Sequence, residues 1–342
     1  MDATKKSIVY VVITAFALAL VAGSVLLISQ FAGVRRPADR LHTAAMALRH
    51  IDPGRRTPVG EEILALNPLR EEAGLTEVTK DWRIVACGLR VADGPTITVL
   101  LNEEKVPSKV ILRGPSYVTI REYEVSDGRL SGRAATWLGQ AHKLFTIESY
   151  KNNKLNGPTI YYSESGEEIC RCDFRDDRPW TGRKLETDNF NSISMDTSYK
   201  EGKKHGQEKV YGQAGELYRL NTYKEGVPYG PQRQYHQGQL RSERIVENGV
   251  THSSRTWHQN GQLQEVTNYL PNGKPDGVRQ IWNEEGELEV EEHYRDGKEH
   301  GRRCWKGHDE AWFWKGKHIG SGNTGKTEFE RRTKLKGSDA FN

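Results

Sequence analysis

The rhythm of hydrophobic and polar positions changes several times along the chain. After Lys5 and Lys6 an uncharged, mostly apolar run extends from Ser7 to Ala32, and the next charge is Arg35. About 20 apolar residues suffice to cross a bilayer as a helix, so residues 1–34 are expected to form a transmembrane anchor. A cleaved signal peptide is the competing reading. Val21-Ala22-Gly23 is a poor cleavage site, however, and Val25 to Ile28 prolong the apolar run beyond it. Basic residues flank both ends almost equally. A short basic N-terminus before a first apolar segment usually stays inside, which favours an exported body.

From Arg36 the period becomes helical. Leu41, Ala44, Ala45, Leu48 and Ile51 recur every three or four residues until Asp52-Pro53-Gly54 interrupts them. Ile63, Leu64 and Leu66 predict a second short helix, ended by Asn67-Pro68. From Trp82 the texture is that of strands: Thr96 to Leu101, Lys109 to Arg113 and Tyr117 to Val125, divided by Asp93-Gly94-Pro95 and Gly114-Pro115. Residues 35–122 are thus expected to form a small α+β membrane-proximal region, and no chemistry is legible in it.

The remainder is repetitive. Asp127 to Trp137, Glu201 to Tyr211, Glu225 to Tyr235 and Asn272 to Trp282 all fit [DEN]-G-x-x-x-G-x-x-x-x-[YW]. Their glycine pairs are Gly128 and Gly132, Gly202 and Gly206, Gly226 and Gly230, and Gly273 and Gly277. Three further copies carry one slip each. Asn153 replaces the first glycine before Gly157, Ser253 the second between Gly249 and Trp257, and Gly297, Gly301 and Trp305 are one residue short. Asp177 to Gly182 is a more worn copy. Tyr150, Phe174, Tyr199, Tyr223, Val246, Tyr269 and Tyr294 precede the turns at intervals of 24, 25, 24, 23, 23 and 25 residues. A second turn signal follows within most units, as at Ala214, Gln237, Asn260 and Glu285. Two turns in about 24 residues leave two short strands, so each repeat reads as a hairpin. The second glycine serves either a further bend or a bare stretch of backbone beneath a neighbouring aromatic. Tyr and Trp are expected to stack one repeat upon the next. The expected product is an elongated, single-layer antiparallel β-sheet of tandem hairpins over residues 123–320.

Tyr-x-x-Gly-x-x-x-Gly-x-x-x-x-Tyr/Trp followed by Asn-Gly-x-Leu resembles the MORN repeat (membrane occupation and recognition nexus), and Tyr199 to Gly206 is similar to its bacterial variant. The resemblance covers about Tyr123 to Gly320 and rests on reiteration. It implies elongated hairpin sheets acting as protein-interaction or membrane-associated scaffolds, some labelled antitoxin-like. The structural repeat positions it marks are the glycines above with Gly157, Gly297 and Gly301, and the aromatics Tyr199, Tyr211, Tyr223, Tyr235, Trp257, Tyr269, Trp282, Tyr294 and Trp305.

Composition agrees with thin layers: the 342 residues are 35% hydrophobic but hold 34 Gly, 14 Tyr and 8 Trp. The net charge of +4 equals the excess of Lys and Arg between Lys317 and Lys336. Residues 321–342 are therefore expected to be a basic, disordered tail able to touch anionic lipid, with no specific nucleic acid partner. Catalytic, cofactor and metal sites are expected to be absent. Cys170 and Cys172 form only C-x-C, and the four cysteines, with Cys87 and Cys304, are expected to be unpaired. His205 and His300 occupy equivalent turn positions too far apart to share a metal. Gly320 to Thr327, G-S-G-N-T-G-K-T, satisfies the phosphate-loop pattern. Only 15 residues follow it, too few to complete a nucleotide-binding domain, so it reads as the end of the last repeat. The chain is thus expected to be a non-catalytic, membrane-anchored scaffold for a protein partner. The alternatives are binding of lipid headgroups or envelope polymer, or neutralisation of a toxin.

Overall fold

The computed structural model describes residues 44–49, 51, 56–86, 96–114, 119–188, 192–308 and 310–338. The expected transmembrane segment, Cys87 and the turn at Asp93-Gly94-Pro95 lie outside these residues. Among the described residues no helix is long and apolar enough to cross a membrane. They hold 24 strands, and every ladder is antiparallel. They fall into two compact units, one up to Leu155 together with Tyr162–Glu167, the other Asn156–Tyr161 together with everything from Glu168.

The first unit is a meander with both faces covered. Its strands are β1 (Arg56–Pro58), β2 (Arg83–Ala86), β3 (Thr96–Leu101), β4 (Pro107–Arg113), β5 (Thr119–Ser126), β6 (Arg129–Leu138), β7 (Lys143–Lys151) and β8 (Lys154–Leu155). Side chains alternate across a strand, and here both sets are apolar. Val99, Leu101, Val110, Leu112 and Tyr123 pack on one face against Ala44 and Ala47 of α1 (44–49). On the other, Leu100, Ile111, Ile120 and Trp137 meet Ile63, Leu75, Val78 and Trp82. The second cover contains α2 (Glu61–Leu64) and α3 (Asn67–Glu72). Asn67-Pro68 therefore starts a helix where the sequence predicted an end. Proline at the second helical position, within the first turn, loses no intrahelical hydrogen bond and arrives with a helical φ. The first hairpins of the repeat series, at Asp127-Gly128 and Asn152-Asn153, belong to this layered unit.

Three charges are buried beneath α3. Glu122 on β5 accepts from Arg70 of α3, Nε to Oε1 at 3.0 Å, and pairs with Lys109 of β4 at 3.0 Å. Arg70 and Lys109 are 0% and 1% exposed, Glu122 1%. Arg70 also donates to the Ile63 carbonyl and Asn67 Oδ1, both at 2.8 Å. Beside them Glu124 accepts from the Thr76 hydroxyl and backbone and from the Arg133 backbone. Burial works to raise the Glu124 pKa, and these hydrogen bonds more than offset it, so the group is held below the ordinary carboxylate value.

On the opposite face Tyr150 donates to Glu148 at 2.7 Å and meets Tyr123 edge to face at 5.4 Å. Burial, then the Glu148 charge, pushes the phenol well above its usual value of 10.0. The folded state thus holds this proton more tightly than the unfolded chain does. The resulting stability is complete below pH 10 and is lost as the pH rises further. Tyr150→Phe is expected to reduce the fall in melting temperature between pH 9.5 and about 11. An unchanged slope would show that Tyr150 ionises freely in the fold.

The second unit is a succession of hairpins. Its strands are β9 (Gly157–Tyr162, of which Tyr162 counts to the first unit), β10 (Glu168–Arg175), β11 (Arg178–Thr187), β12 (Ile193–Lys200), β13 (Lys203–Tyr211), β14 (Leu217–Lys224), β15 (Val227–Pro228) and β16 (Gly230–His236). They continue as β17 (Gln239–Glu247), β18 (Val250–Trp257), β19 (Leu263–Asn268), β20 (Gly277–Trp282), β21 (Leu288–Arg295), β22 (Lys298–Trp305), β23 (Ala311–Trp314) and β24 (Lys317–Ser321). Two kinds of turn are used. Glu201-Gly202, Glu225-Gly226, Asn248-Gly249 and Asp296-Gly297 have positive φ at both residues, the two-residue turn that matches strand twist. Asp176-Asp177 adopts the same form, because a short polar side chain tolerates the left-handed region. The other kind, as at His258–Gln262 and Asn283–Glu287, closes through Gly261 or Gly286 at positive φ. Gln237-Gly238 belongs to the first kind rather than the second.

Two-residue turns are tied along one edge to the repeat before. The amide of Gly202 donates to the Trp180 carbonyl at 2.8 Å, Gly226 to Lys204 at 2.8 Å, Gly249 to Pro228 at 3.0 Å and Gly297 to Pro275 at 2.8 Å. This latch joins the first glycine of one repeat to the residue two before the second glycine of the repeat before; Gly273 lacks it and donates to the Leu270 carbonyl instead. The second glycine serves the first of the two roles that its sequence position allowed, a further bend. Gly206 has φ 92° beside a slip in register, and it lies directly opposite Tyr223.

The aromatic stack does not form in this unit. Tyr199, Tyr223, Tyr269 and Tyr294 are half-buried, and none makes a ring contact with its equivalent. Two strands per repeat separate equivalent residues by about 9.6 Å, beyond the 4.5–7 Å range of paired rings. Residues 322–338 also differ from the expected disordered tail: they form the helix α4 (Gly322–Ser338). Phe329 anchors it, with ring centroids 5.4 Å from both Trp312 and Trp314 and 5.2 Å from His300. Gly320 and Gly325 permit this docking, since a Cβ on Gly325 would lie 2.5 Å from the Gly320 carbonyl oxygen. Gly322 to Thr327 are helical, so the phosphate-loop pattern is here a strand-to-helix packing joint.

Candidate functional site

The face of the second unit that carries the tyrosines has a regular electrostatic pattern. Glu208 on β13 lies opposite Asn221, which donates to it at 3.1 Å, and also accepts from Lys204 and from Tyr223 at 3.3 Å. Partial burial opposes ionisation, but these donors hold the carboxyl below its ordinary range. Three repeats on, Arg279 bridges Glu265 at 2.8 Å and Glu292 at 3.0 Å. Glu292 takes a second arginine, Arg303, at 2.9 Å and the Tyr294 hydroxyl at 3.0 Å. The Arg279 hydrogen bond, with a smaller one from Thr267, keeps Glu265 ionised to lower pH than a free carboxyl. The opposite face is laid out similarly, with Glu243 between Arg233 at 2.7 Å and Arg255 at 3.3 Å. Charges on strand faces are thus fixed by partners one or two strands away.

Between Glu208 and Glu265 the tyrosine face departs from this pattern. The strands β14, β16 and β17 present Arg219, Asn221, Gln232, Gln234, Ser242 and Arg244 there. Register places Arg219 opposite Gln234, Gln234 opposite Ser242 and Gln232 opposite Arg244. These side chains line a cavity of about 470 Å³ whose lining contains two arginines and no carboxylate. The Arg219 Nε is enclosed without a hydrogen-bond partner, and its guanidinium lies 5.9 Å from the Tyr218 ring centroid. Gln232 is held by donation to the Thr222 carbonyl at 2.8 Å, leaving its oxygen as an acceptor. Arg244 makes no ion pair among the described residues.

The sequence-marked residues shape this site without forming it. Tyr223 stands at the cavity's margin. Gly226 closes the β14–β15 turn beside the cavity and Gly249 lines it, while Gly202 and Gly206 lie outside its lining. Tyr211, Tyr235, Trp257, Trp282 and Trp305 sit half-buried at strand ends. His205 and His300 have equivalent tasks, accepting the backbone N–H of Glu225 at 3.4 Å and Lys315 at 3.3 Å through Nδ1. Among the described residues no group of three His, Cys, Asp or Glu side chains is arranged to hold a metal. Cys170, Cys172 and Cys304 are free thiols, and burial pushes Cys172 up to about 12. The two arginines were legible as letters, but their lack of acidic neighbours is a matter of register.

No protein-family model matches the chain, and comparison with curated proteins likewise finds no match.

Proposed function

We propose that the chain is a MORN-like repeat scaffold, anchored by its N-terminal apolar segment, whose open sheet binds a protein partner without catalysis. One observation carries this reading: outside the window around Arg219 and Arg244, both faces of the strands from Arg183 to Arg303 are set in partnered polar side chains, with α4 the only helical cover in that unit among the described residues. Side chains already held by neighbours lose little freedom on association, so such a face is preorganised for a complementary protein surface. The basic residues of α4 add a secondary affinity for anionic lipid. Localisation of the repeats outside the cytoplasm belongs to the same proposal, through the short basic N-terminus that precedes the apolar segment.

The test compares protein with lipid. Full-length chain in detergent micelles is expected to retain a saturable protein partner, losing less than about tenfold in affinity between 50 and 300 mM salt. Phosphatidylserine vesicles, held by exposed charge alone, are expected to be released over that range. Retention of vesicles with no saturable protein would overturn the scaffold in favour of lipid attachment.

A further inference from the structure

The cavity between Glu208 and Glu265 has features of a recognition site that the rest of the sheet lacks. Elsewhere on the tyrosine face a carboxylate accompanies each buried cation, as Glu292 accompanies Arg279 and Arg303. Here Arg219 and Arg244 converge on a cavity with only neutral amides and hydroxyls around them. An enclosed guanidinium nitrogen without an acceptor is an unfavourable arrangement in a chain complete by itself. A carboxylate from outside supplies the missing acceptor and the missing charge.

Resting on the scaffold reading above, we infer that this cavity receives an extended acidic segment of the protein partner, with carboxylates on Arg219 and Arg244. The two arginines stand two strands apart and two residues along the strands, about 12 Å at the backbone. Carboxylates on one face of an extended peptide lie about 7 or 13 Å apart, within reach of two long arginine side chains. Gln232, Gln234 and Asn221 lie between and beside them and supply the donors and acceptors that a peptide backbone requires. The same surroundings argue against a bilayer or a nucleic acid. Glu208 and Glu265 flank the window, and a broad anionic surface laid across it would meet both carboxylates. A single narrow segment passes between them.

The experiment is fluorescence anisotropy with the full-length chain in neutral detergent micelles at pH 7. The probe is a labelled octapeptide of alternating glutamate and valine. Saturable binding is expected, at least tenfold tighter than for the glutamine–valine counterpart. The Arg219→Gln/Arg244→Gln double variant is expected to lose at least tenfold, while Arg295→Ala, an exposed turn residue, binds as the wild type does. Charge reversal, Arg219→Glu/Arg244→Glu, is expected to transfer the preference to a lysine–valine octapeptide. Thermal melts by circular dichroism establish that each variant is folded. Peptide binding indifferent to both arginines overturns the proposal, as does binding of phosphatidylserine vesicles that depends on them while the peptide does not bind. If the double variant keeps full affinity for the partner retained in the salt experiment, this site is wrong and the scaffold stands. If the wild type retains no protein, the scaffold reading itself fails.

Discussion

Replacing Glu122 by alanine is expected to destabilise the first unit by about 3–5 kcal/mol, the cost of leaving buried charge without its counterion. Arg70 and Lys109 are essentially inaccessible, and Glu122 is the carboxylate that both contact directly. Its removal leaves two cations in a region lined by Ile111, Ile63 and Val78, where neither can recover hydration. Glu124 approaches Lys109 only at 3.9 Å and is already committed to Thr76 and Arg133. Urea denaturation at pH 7, followed by near-ultraviolet signals of the buried Trp82 and Trp137, measures the loss. Removing all three charges together, as Arg70→Met/Glu122→Leu/Lys109→Met, is expected to cost far less than Glu122→Ala alone, because no orphaned charge remains. A single variant within 1 kcal/mol of wild type would mean that water reaches this cluster.

The second large effect is expected at the bulge glycines. Gly182 has φ +113°, and a Cβ there would lie 2.3 Å from the Arg171 carbonyl oxygen and 3.0 Å from the Cys172 Cα. Backbone atoms cannot move aside as a side-chain tip can. Gly182→Ala therefore combines left-handed strain of about 1–2 kcal/mol with overpacking of about 1–3 kcal/mol. A total loss near 3 kcal/mol is expected. Gly215→Ala is the matched control: φ is +80° and nothing lies within 4 Å. It should show the strain alone, about 1–2 kcal/mol. Equal losses at the two sites would show that β10 and β11 separate to accept the methyl group.

The contrast between these positions marks what could be read without coordinates. Glycine after an acidic or amide residue predicted the two-residue turns, because positive φ is a demand that a residue meets by itself; Asn272-Gly273 is the exception and closes the longer turn Leu270–Lys274. Thr96 to Leu101 was legible as a strand for the same reason, from its own alternating β-branched residues. The helix of Ile63 and Leu64 ends before Asn67-Pro68 as its sequence implies, but proline can also begin a helix, and that a new one starts there is decided by the packing of α3. The expected tyrosine stack failed on a distance that strand spacing sets. The tail became a helix because Gly325 can lie against Gly320 and Phe329 can reach Trp312 and Trp314.

By itself the sequence determined the period, the turns and the hairpins, all of which depend on backbone preferences within a few residues. The tertiary structure alone decided where charge is matched and where it is not. Arg70 meets Glu122 across 52 positions of sequence. Arg219 and Arg244 share a cavity because bulges bring their strands into a register that offers no carboxylate. Electrostatic compensation acts through space between strands, and a one-residue slip sends a side chain to the opposite face. A linear pattern therefore fixes how often the chain turns, and the accumulated register fixes which charges meet.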